Sequence, residues 1–368
     1  MALKDMREFI KLLKGKGLLK VVDAEVDPNL EIAAILERLV QEKGPAVLFN
    51  NVKGHSTPVV GNLYGTRERV SLALGATEEE LKKIAEFIAF LQRPKPPEGI
   101  WDALKKVPFF ASLLTLGPKT VWAAPCQDVV LTGDDVNLNA LPIIKCWPGD
   151  AAPLITWPLV VTRGPEGGSF NLGVYRMQVL GRNKAIMRWL PQRGGAAHQR
   201  LWKEAGKDPM PVAVAIGCEP TMTIAAVTPL PEAVDEYHFA GILRKKAVEL
   251  VDCKTIPLRV PATSEIVLEG EIYWNETAPE GPFGDHTGYY NAVEEFPVFT
   301  VKAITHRKNP TYLTTITGRP PKEDAVIGTV LNTLYLPTLK LNFPEVVDFT
   351  LPMEAVSYRI AVVSIKKE

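Results

Sequence analysis

The sequence predicts an α+β protein in which a mixed α/β segment precedes a β-rich middle. Helical and strand patterns alternate over the first hundred residues. From Val129 onward, short runs of branched and aromatic residues recur between Gly, Pro and Asn. Only two stretches of the middle, about 196–205 and 235–246, have helical spacing. Many strands with few helices favour a barrel-like or sandwich domain over a doubly wound sheet.

The composition indicates large buried cores without net charge. The 368 residues include 42 basic and 42 acidic side chains, and 46% are hydrophobic. A chain of this length predicts two or three domains. Balanced charge without a basic block argues against nucleic-acid binding, which depends on neutralising phosphates.

Cysteine usage and hydropathy indicate a cytoplasmic protein. The four cysteines lie far apart without a C-x-x-C pair, which argues against a disulfide framework or a thiolate zinc site. No apolar run approaches the roughly 20 residues that cross a bilayer. The N-terminus lacks the continuous apolar run of a signal peptide.

The N-terminal domain is expected to span residues 1–98. Asp27-Pro28 is predicted to begin a helix, because proline is favoured at the first helical position. A capping box at 77–80 is predicted to open a helix that reaches about Leu91. The proline-rich segment 94–99 marks the predicted domain boundary. Strands are predicted at 18–22, 47–49 and 58–60.

The β-rich domain is expected to span residues 99–318. Gly181 to Lys184 is predicted to form a hairpin turn. A final apolar strand is predicted at 358–365, and the absence of a helix to cover it suggests that the chain is incomplete. The other strands of this region are predicted at 159–162, 170–180, 185–190, 212–216, 265–272 and 298–304.

The densest polar cluster of the sequence lies at 277–290. Glycines and prolines there give an irregular backbone around Glu280, Asp285 and His286. Such loops can position acid and base groups for catalysis. The alternative is an ordinary Gly/Pro turn with its acids in solvent.

A second cluster, Asn171 to Arg176, lies within a strand pattern. In a regular strand these two side chains point to opposite faces, so a shared site requires a bulge at Gly173. The alternative is an edge strand with Arg176 in solvent.

Two further clusters lie at the beginnings of predicted helices. Arg188 and Arg193 flank a segment that leads into Gly194-Gly195, a combination suited to an anion. Glu236 follows an aspartate in a first helical turn, where acids usually complement the helix dipole. Together with Asn or His it could also bind Mn²⁺ or Mg²⁺, but spacing alone does not assemble these ligands.

Six segments stand out, at 146–157, 171–176, 188–195, 261–265, 280–290 and 317–321. In this order, and with a match over essentially the whole chain, they resemble the UbiD family of reversible decarboxylases that use prenylated FMN. The detailed match is similar to the branch that acts on 3-polyprenyl-4-hydroxybenzoates in ubiquinone biosynthesis. The resemblance implies a split-β-barrel flavin-binding domain of the flavin-reductase type over residues 99–318. Residues 319–368 would begin a C-terminal oligomerisation domain that is mostly missing.

The resemblance also implies roles for individual residues. The catalytic residues would be Arg176, Glu280 and Asp285. The ligands of a Mn²⁺ ion that holds the cofactor phosphate would be Asn171, Glu236 and His198. The residues that contact the cofactor would be Val174, Tyr175, Arg176, Arg188, Trp189, Leu190, Arg193 and Gly194.

The implied reaction is the reversible, non-oxidative decarboxylation of a 4-hydroxybenzoate-type acid that can carry a polyprenyl tail. Two alternatives remain open: the same chemistry on another aromatic, heteroaromatic or α,β-unsaturated acid, or a flavin-binding chain without turnover. The implied cofactors are prenylated FMN and Mn²⁺ or Mg²⁺, with K⁺ as a further candidate. The implied partners are the aromatic acid, CO₂, a flavin prenyltransferase that supplies the cofactor, and other subunits of a homo-oligomer. A polyprenylated substrate would add peripheral contact with the inner face of the membrane.

Overall fold

The computed structural model describes residues 2–93, 115–228, 230, 235–355 and 360–367. The boundary predicted at 94–99 lies outside the described residues, and the predicted domain bounds stay predictions. No helix in the described ranges is long and apolar enough to span a bilayer. The helices in these ranges are α1 Met6–Gly15, α2 Glu31–Gln41, α3 Arg67–Leu74, α4 Glu78–Gln92, α5 Gly194–Glu204, α6 Pro220–Val227, α7 Glu236–Arg244 and α8 Glu323–Asn342.

The strands form two larger and two smaller sheets within the described residues. They are β1 Leu19–Val22, β2 Ala46–Phe49, β3 Val59–Gly61, β4 Lys119–Val121, β5 Val129–Thr132, β6 Leu154–Ile155, β7 Leu159–Gly164, β8 Gly167–Val174, β9 Met177–Val179, β10 Lys184–Met187, β11 Met210–Ile216, β12 Glu249–Asp252, β13 Arg259–Pro261, β14 Ile266–Glu280, β15 Glu294–His306, β16 Tyr312–Leu313, β17 Val346–Thr350 and β18 Val362–Ile365.

The N-terminal region contains a four-stranded sheet in the order β1-β2-β3-β16. Along the chain, α1 precedes β1, α2 connects β1 to β2, and α3 and α4 follow β3. The capping box is confirmed, since the Glu80 N–H donates to Thr77 Oγ1 (3.3 Å) and the Thr77 N–H donates to Glu80 Oε2 (2.8 Å). The predicted start of α2 was wrong. Asp27 accepts the N–H of Asn29 (2.8 Å) in a local turn, and the helix begins only after Leu30, whose φ is 75°.

The β-rich region is built on a nine-stranded sheet in the order β6-β9-β10-β15-β14-β11-β7-β8, with β5 paired to β15. This path runs from β6 to β8 without closing among the described strands. The hairpin of β14 and β15 is its longest pairing, and register shifts between Glu269 and Gly270 and between Ile272 and Thr277 bend it. The strand β8 lies at one edge of the sheet.

Two features of this region differ from the predictions. The predicted strand 170–180 is divided, because β8 ends at Val174 and β9 begins at Met177. Gly173 is not a bulge, since β7 and β8 stay in register from Leu159 opposite Val174 to Arg163 opposite Phe170. An added Cβ at Gly173 would lie 2.3 Å from the Tyr175 hydroxyl, so this glycine leaves space for that ring.

The helix α6 was not predicted. Its residues Pro220 to Ala225 are all buried, so they show no polar face and therefore no helical periodicity in the sequence. The hairpin turn at 181–184 is confirmed, because it joins β9 to β10 and the Leu180 N–H donates to the Lys184 carbonyl (2.9 Å).

A buried carboxylate joins the two regions. Glu265 is wholly buried and accepts two hydrogen bonds from the Arg7 guanidinium of α1, both 2.7 Å long. It also accepts the N–H of Thr311 (3.0 Å) and one from Arg307 (3.3 Å). These charge-assisted bonds tie α1 to the end of the large sheet.

Candidate active site

Arg176 and Glu280 form a bidentate ion pair where β8, β9 and β14 meet. Arg176 follows the end of β8, and its Nε and Nη2 donate to Glu280 Oε1 (2.8 Å) and Oε2 (3.1 Å). The Glu280 side chain is 0% exposed and that of Arg176 is 11% exposed. The Arg176 guanidinium also lies over the ring of Phe283, 5.2 Å from its centroid. The predicted catalytic arginine and glutamate are therefore brought together in a nearly dry site.

Arg188 is a second cation at the same carboxylate. Glu280 ends β14 and pairs directly with Glu294, which begins β15, so two acids lie side by side. The Arg188 guanidinium lies between them, with Nε 3.3 Å from Glu280 Oε2 and Nη2 3.7 Å from Glu294 Oε2. Burial, and next the charge of Arg176, lower the pKa of Arg188. Its Nε is buried and has no hydrogen-bond partner among the described residues.

Asn291 completes this cluster. Its Oδ1 accepts from Arg176 Nη2 (3.1 Å) and from the Phe283 N–H (2.8 Å), and its Nδ2 donates to Glu280 Oε2 (3.4 Å). One amide therefore contacts both members of the ion pair and the loop that follows β14. The sequence analysis missed it, although it directly follows the polar cluster 277–290.

Asp285 lies in the loop between β14 and β15, and its side chain is 28% exposed. Its negative charge opposes the lowering of the Arg188 pKa. The loop is anchored by Asp150, which accepts the N–H groups of Gly284 (2.9 Å) and Trp147 (2.8 Å). A Cβ on Gly284 would lie 2.3 Å from the Trp147 ring, so the indole packs directly on the loop backbone.

Asn171 and His198 meet at one hydroxyl group. Thr162 Oγ1 lies 2.9 Å from His198 Nδ1 and accepts a hydrogen bond from Asn171 Nδ2 (3.3 Å). His198 lies on α5, which packs against β7 and β8. Burial lowers the pKa of His198, which favours the neutral imidazole that binds metals.

Glu236 reaches the same edge of the sheet from α7. Its Oε2 accepts the N–H of Leu172, the residue after Asn171, at 3.1 Å. Because β8 is an edge strand, this N–H can point away from β7 toward α7. Burial raises the pKa of Glu236 to about 7, and no positive charge among the described residues offsets this effect. Asn171 and His198 therefore share Thr162, and Glu236 contacts β8 at the residue next to Asn171.

The first turn of α5 lies against these ligands. A Cβ on Gly194 would lie 1.9 Å from Asn171 Oδ1, and the Gly195 N–H donates to the Tyr175 hydroxyl (3.2 Å). Arg193 is exposed, precedes the helix with an extended backbone and makes no side-chain cap bond. The N–H groups of this turn and the Arg193 side chain suit an anion such as a phosphate.

A short connection links the ion-pair cluster to the ligand cluster. Along the chain, Tyr175 lies between Arg176 and β8, the strand that carries Asn171. Its ring packs edge-on against the ring of Trp189, and the two ring centroids are 6.0 Å apart. The Arg188 N–H donates to the Arg176 carbonyl (3.1 Å). The predicted cofactor-contacting residues Val174, Leu190, Arg193 and Gly194 lie beside or between these groups along the same two chain segments.

Two family models match this chain. The model described as the 3-octaprenyl-4-hydroxybenzoate carboxy-lyase Rift-related domain matches residues 119–320. The model described as the N-terminal domain of the same carboxy-lyase matches residues 10–88. The chain belongs to the UbiD family of prenylated-FMN-dependent decarboxylases.

The fold is similar to solved UbiD-class structures. An evolved dimeric form of HmfF from Pelotomaculum thermopropionicum, in complex with prenylated FMN, is 32% identical with a TM-score of 0.83, covering 100% of this chain and 80% of that chain. The closed form of vanillic acid decarboxylase from Sedimentibacter hydroxybenzoicus is 29% identical with a TM-score of 0.86, covering 100% and 75%. The 3,4-dihydroxybenzoic acid decarboxylase of Klebsiella pneumoniae, at 23% identity and a TM-score of 0.81, covers 100% and 76% and shares the fold.

The residues of this UbiD-family chain fit a divalent cation and a phosphate. Amide oxygen, carboxylate and imidazole form a donor set that suits Mn²⁺ or Mg²⁺. The described residues contain no group of three or more His, Cys, Asp or Glu side chains that could hold a metal, so Asn171 is needed to complete the set. The uncompensated Glu236 carboxylate and the glycine turn of α5 are the observations that favour a bound cation and anion.

One cavity of the described residues lies away from this site. A cavity of about 170 Å³ lies between the N-terminus, α3 and α7, where its walls include Leu3, Ala73, Thr221 and Arg244. None of the candidate site residues lines it. The side-chain clusters, rather than cavity volume, therefore identify the candidate site.

Proposed function

We propose that this protein catalyses the reversible, non-oxidative decarboxylation of an aromatic carboxylic acid with prenylated FMN and Mn²⁺ or Mg²⁺. The observation that carries the proposal is the buried Arg176–Glu280 pair, because Arg176 directly follows β8. This strand carries Asn171, its Leu172 N–H donates to Glu236, and its partner Thr162 contacts His198. The proposed metal ligands, the anion-binding turn and the acid–arginine cluster each contact β8 or the Tyr175–Arg176 segment that follows it, as a cofactor that spans them would require.

Asn171, Glu236 and His198 would hold the metal, and the first turn of α5 with Arg193 would hold the phosphate. The segments Val174–Arg176, Arg188–Leu190 and Arg193–Gly194 would contact the rest of the cofactor. When bound, prenylated FMN supplies a sink for the electrons released as CO₂ leaves. The metal would act as a clamp between protein and phosphate rather than as a Lewis acid on the substrate.

The protein side chains would bind the substrate and move the proton. The planar Arg176 guanidinium suits the substrate carboxylate, and Glu280 fixes its orientation. When the C–C bond to the carboxyl group breaks and CO₂ leaves, Asp285, or Glu280 through it, would supply a proton to the ring carbon that bore the carboxyl group. A positioned acid of this kind contributes about 10²–10⁴-fold in rate. Asn291 would keep Arg176 and Glu280 in place.

The substrate is proposed to be a 4-hydroxybenzoate that can carry a polyprenyl tail. The name of the matching family model, a 3-octaprenyl-4-hydroxybenzoate carboxy-lyase, supports this substrate and a place in ubiquinone biosynthesis. A second candidate is a smaller phenolic or heteroaromatic acid, since a vanillic acid decarboxylase has a similar fold at 29% identity. A polyprenylated substrate would bring the protein to the membrane surface, whereas a small phenolic acid would not.

We further propose a cytoplasmic homo-oligomer that receives its cofactor from a flavin prenyltransferase, with K⁺ as an additional ion. Co-expression with such a prenyltransferase, followed by absorbance and mass analysis of the copurified flavin, tests the cofactor. CO₂ release and H/D exchange on a panel of benzoates, with and without a prenyl group, then test the substrate. The Arg176→Ala variant is tested in parallel, and it should retain flavin but lose H/D exchange. A protein that copurifies with no flavin, or exchange that persists in this variant, would contradict the proposal.

A further inference from the structure

Thr162 is the direct cross-strand partner of Asn171, since the two residues face each other in the β7–β8 pairing. Its side chain is 0% exposed and lies under the first turns of α5. Of the hydroxyl groups in this part of the sheet, it is the one that contacts both Asn171 and His198. Sequence reasoning gave no signal for it, because a threonine in the run Leu-Val-Val-Thr is typical of any buried strand.

The amide of Asn171 is held in one orientation by two hydroxyl groups. Its Nδ2 donates to Thr162 Oγ1 (3.3 Å) and to Tyr175 Oη (3.4 Å), so both N–H groups of the amide have acceptors. The remaining polar atom, Oδ1, lies over Gly194 at the beginning of α5. An amide oxygen fixed on that side is available to a cation, whereas a flipped amide would present N–H groups to it.

His198 is held by the same oxygen. Its Nδ1 lies 2.9 Å from Thr162 Oγ1, and an Nδ1–H that donates to this oxygen leaves the Nε2 lone pair free for a cation. The Thr162 oxygen then accepts two hydrogen bonds on its two lone pairs, one from His198 Nδ1–H and one from Asn171 Nδ2–H. The opposite tautomer would place a proton on Nε2 and prevent metal binding there.

We propose that Thr162 is a positioning residue that orients Asn171 Oδ1 and His198 Nε2 toward one divalent cation through a single hydroxyl oxygen. The proposal rests on the metal site of the proposed function. It makes His198 a true ligand and assigns its tautomer as Nδ1–H. Partners of this kind behind metal ligands typically contribute about 10–100-fold to metal affinity.

The test compares Thr162→Val, which keeps the shape and removes the oxygen, with Thr162→Ser, which keeps the oxygen. Free Mn²⁺ is measured by electron paramagnetic resonance during titration of each purified protein with MnCl₂ in the presence of FMN. We expect about 10–100-fold weaker Mn²⁺ binding for Thr162→Val and near wild-type binding for Thr162→Ser. Thr305→Val is the matched control, because Thr305 is a wholly buried strand threonine whose hydroxyl has no hydrogen-bond partner in the part of the chain that the structure describes.

A second measurement needs no variant of Thr162. Long-range ¹H–¹⁵N correlation spectra of the imidazoles are recorded for the wild-type protein with Mg²⁺ and FMN. They should show His198 as the Nδ1–H tautomer. The His198 signal is assigned by its loss in the His198→Asn variant. An Nε2–H tautomer, or Mn²⁺ affinity of a folded Thr162→Val protein within about twofold of wild type, would overturn the proposal. If Asn171→Ala and Glu236→Ala also retain the metal, the proposed metal site itself is wrong. If those two variants lose it and Thr162→Val does not, only the role of Thr162 fails.

Discussion

The Arg176 guanidinium binds both carboxylate oxygens of Glu280, a residue 104 positions further along the chain. Because Glu280 is wholly buried, its charge depends on this partner and on Arg188 rather than on water. Removal of one member of a buried pair leaves an uncompensated charge, and this is why the pair responds strongly to substitution.

Glu280→Gln is expected to retain flavin and to lose decarboxylation by about 10²-fold or more. The glutamine keeps the shape but no longer fixes the Arg176 guanidinium through two charge-assisted bonds. CO₂ release and the flavin absorbance of the purified variant measure the two effects. Glu294→Gln is the control, because Glu294 is more exposed and 3.7 Å from its nearest cation, Arg188. Full turnover by Glu280→Gln would remove this residue from the mechanism.

Asn291→Ala is expected to lower the rate about tenfold and to leave metal content unchanged, since its amide contacts only the ion-pair cluster and its loop. Loss of these bonds frees the Arg176 guanidinium and the Phe283 backbone from a shared anchor. Steady-state kinetics with metal analysis checks both parts. Unchanged kinetics would show that the ion pair orients itself without Asn291.

Glu236→Gln is expected to raise the free energy of unfolding without metal and to lower it, relative to wild type, when Mn²⁺ is present. The raised pKa, about 7, means that ionisation of Glu236 opposes folding of the metal-free protein. Its favourable contribution is complete below the unfolded pKa and is lost as pH rises through about 7. At pH 8 the variant should therefore unfold with a free energy up to about 2–3 kcal/mol larger than wild type when both are treated with chelator.

With Mn²⁺ present, wild type should have the larger free energy of unfolding, because metal binding stabilises wild type and the variant lacks this contribution. Denaturant unfolding at pH 8 and at pH 5, with chelator or with Mn²⁺, measures all four cases. Asn171→Ala should likewise lose Mn²⁺ and flavin together. Unchanged metal content by elemental analysis in either variant would contradict the assignment of these ligands.

Gly194→Ala is expected to lose metal and flavin while the fold is retained. The added Cβ would lie 1.9 Å from Asn171 Oδ1, so the amide would have to leave its position. Gly181→Ala is the matched control, because a Cβ there meets nothing within 4 Å. Copurified flavin and bound Mn²⁺ are measured for both. Normal loading of Gly194→Ala would show that the close approach of Asn171 to α5 is not required.

Local structure was predictable wherever the signal is contained in a few neighbouring residues. The capping box at Thr77 and Glu80 and the turn at 181–184 depend on hydrogen bonds between near neighbours, and both were confirmed. The start of α2 was not predictable, because Asp27 can cap a helix or close a turn with Asn29, and the sequence does not decide between them. The helix α6 was missed because uniform burial removes periodicity.

In the candidate site too, residues within local sequence patterns were predicted, whereas residues identified only by long-range contacts were missed. Its charged and glycine-rich segments were recognisable in the sequence, including the residues that the structure places around Arg176 and Asn171. Thr162 and Asn291 were missed, since a strand threonine and a loop asparagine carry no pattern that distinguishes them. Their significance lies only in what they contact across the fold.

The sequence by itself determined the family, the β-rich character of the middle and the identity of the acids, arginines and glycines that the chemistry requires. Only the tertiary structure decided that Glu280 reaches Arg176 and that Glu236 meets the strand of Asn171 at an open sheet edge. The physical reason is that strand order and edge position are set by pairing between distant segments. Local hydrogen bonds and side-chain periodicity, which are what a linear sequence displays, do not contain that information.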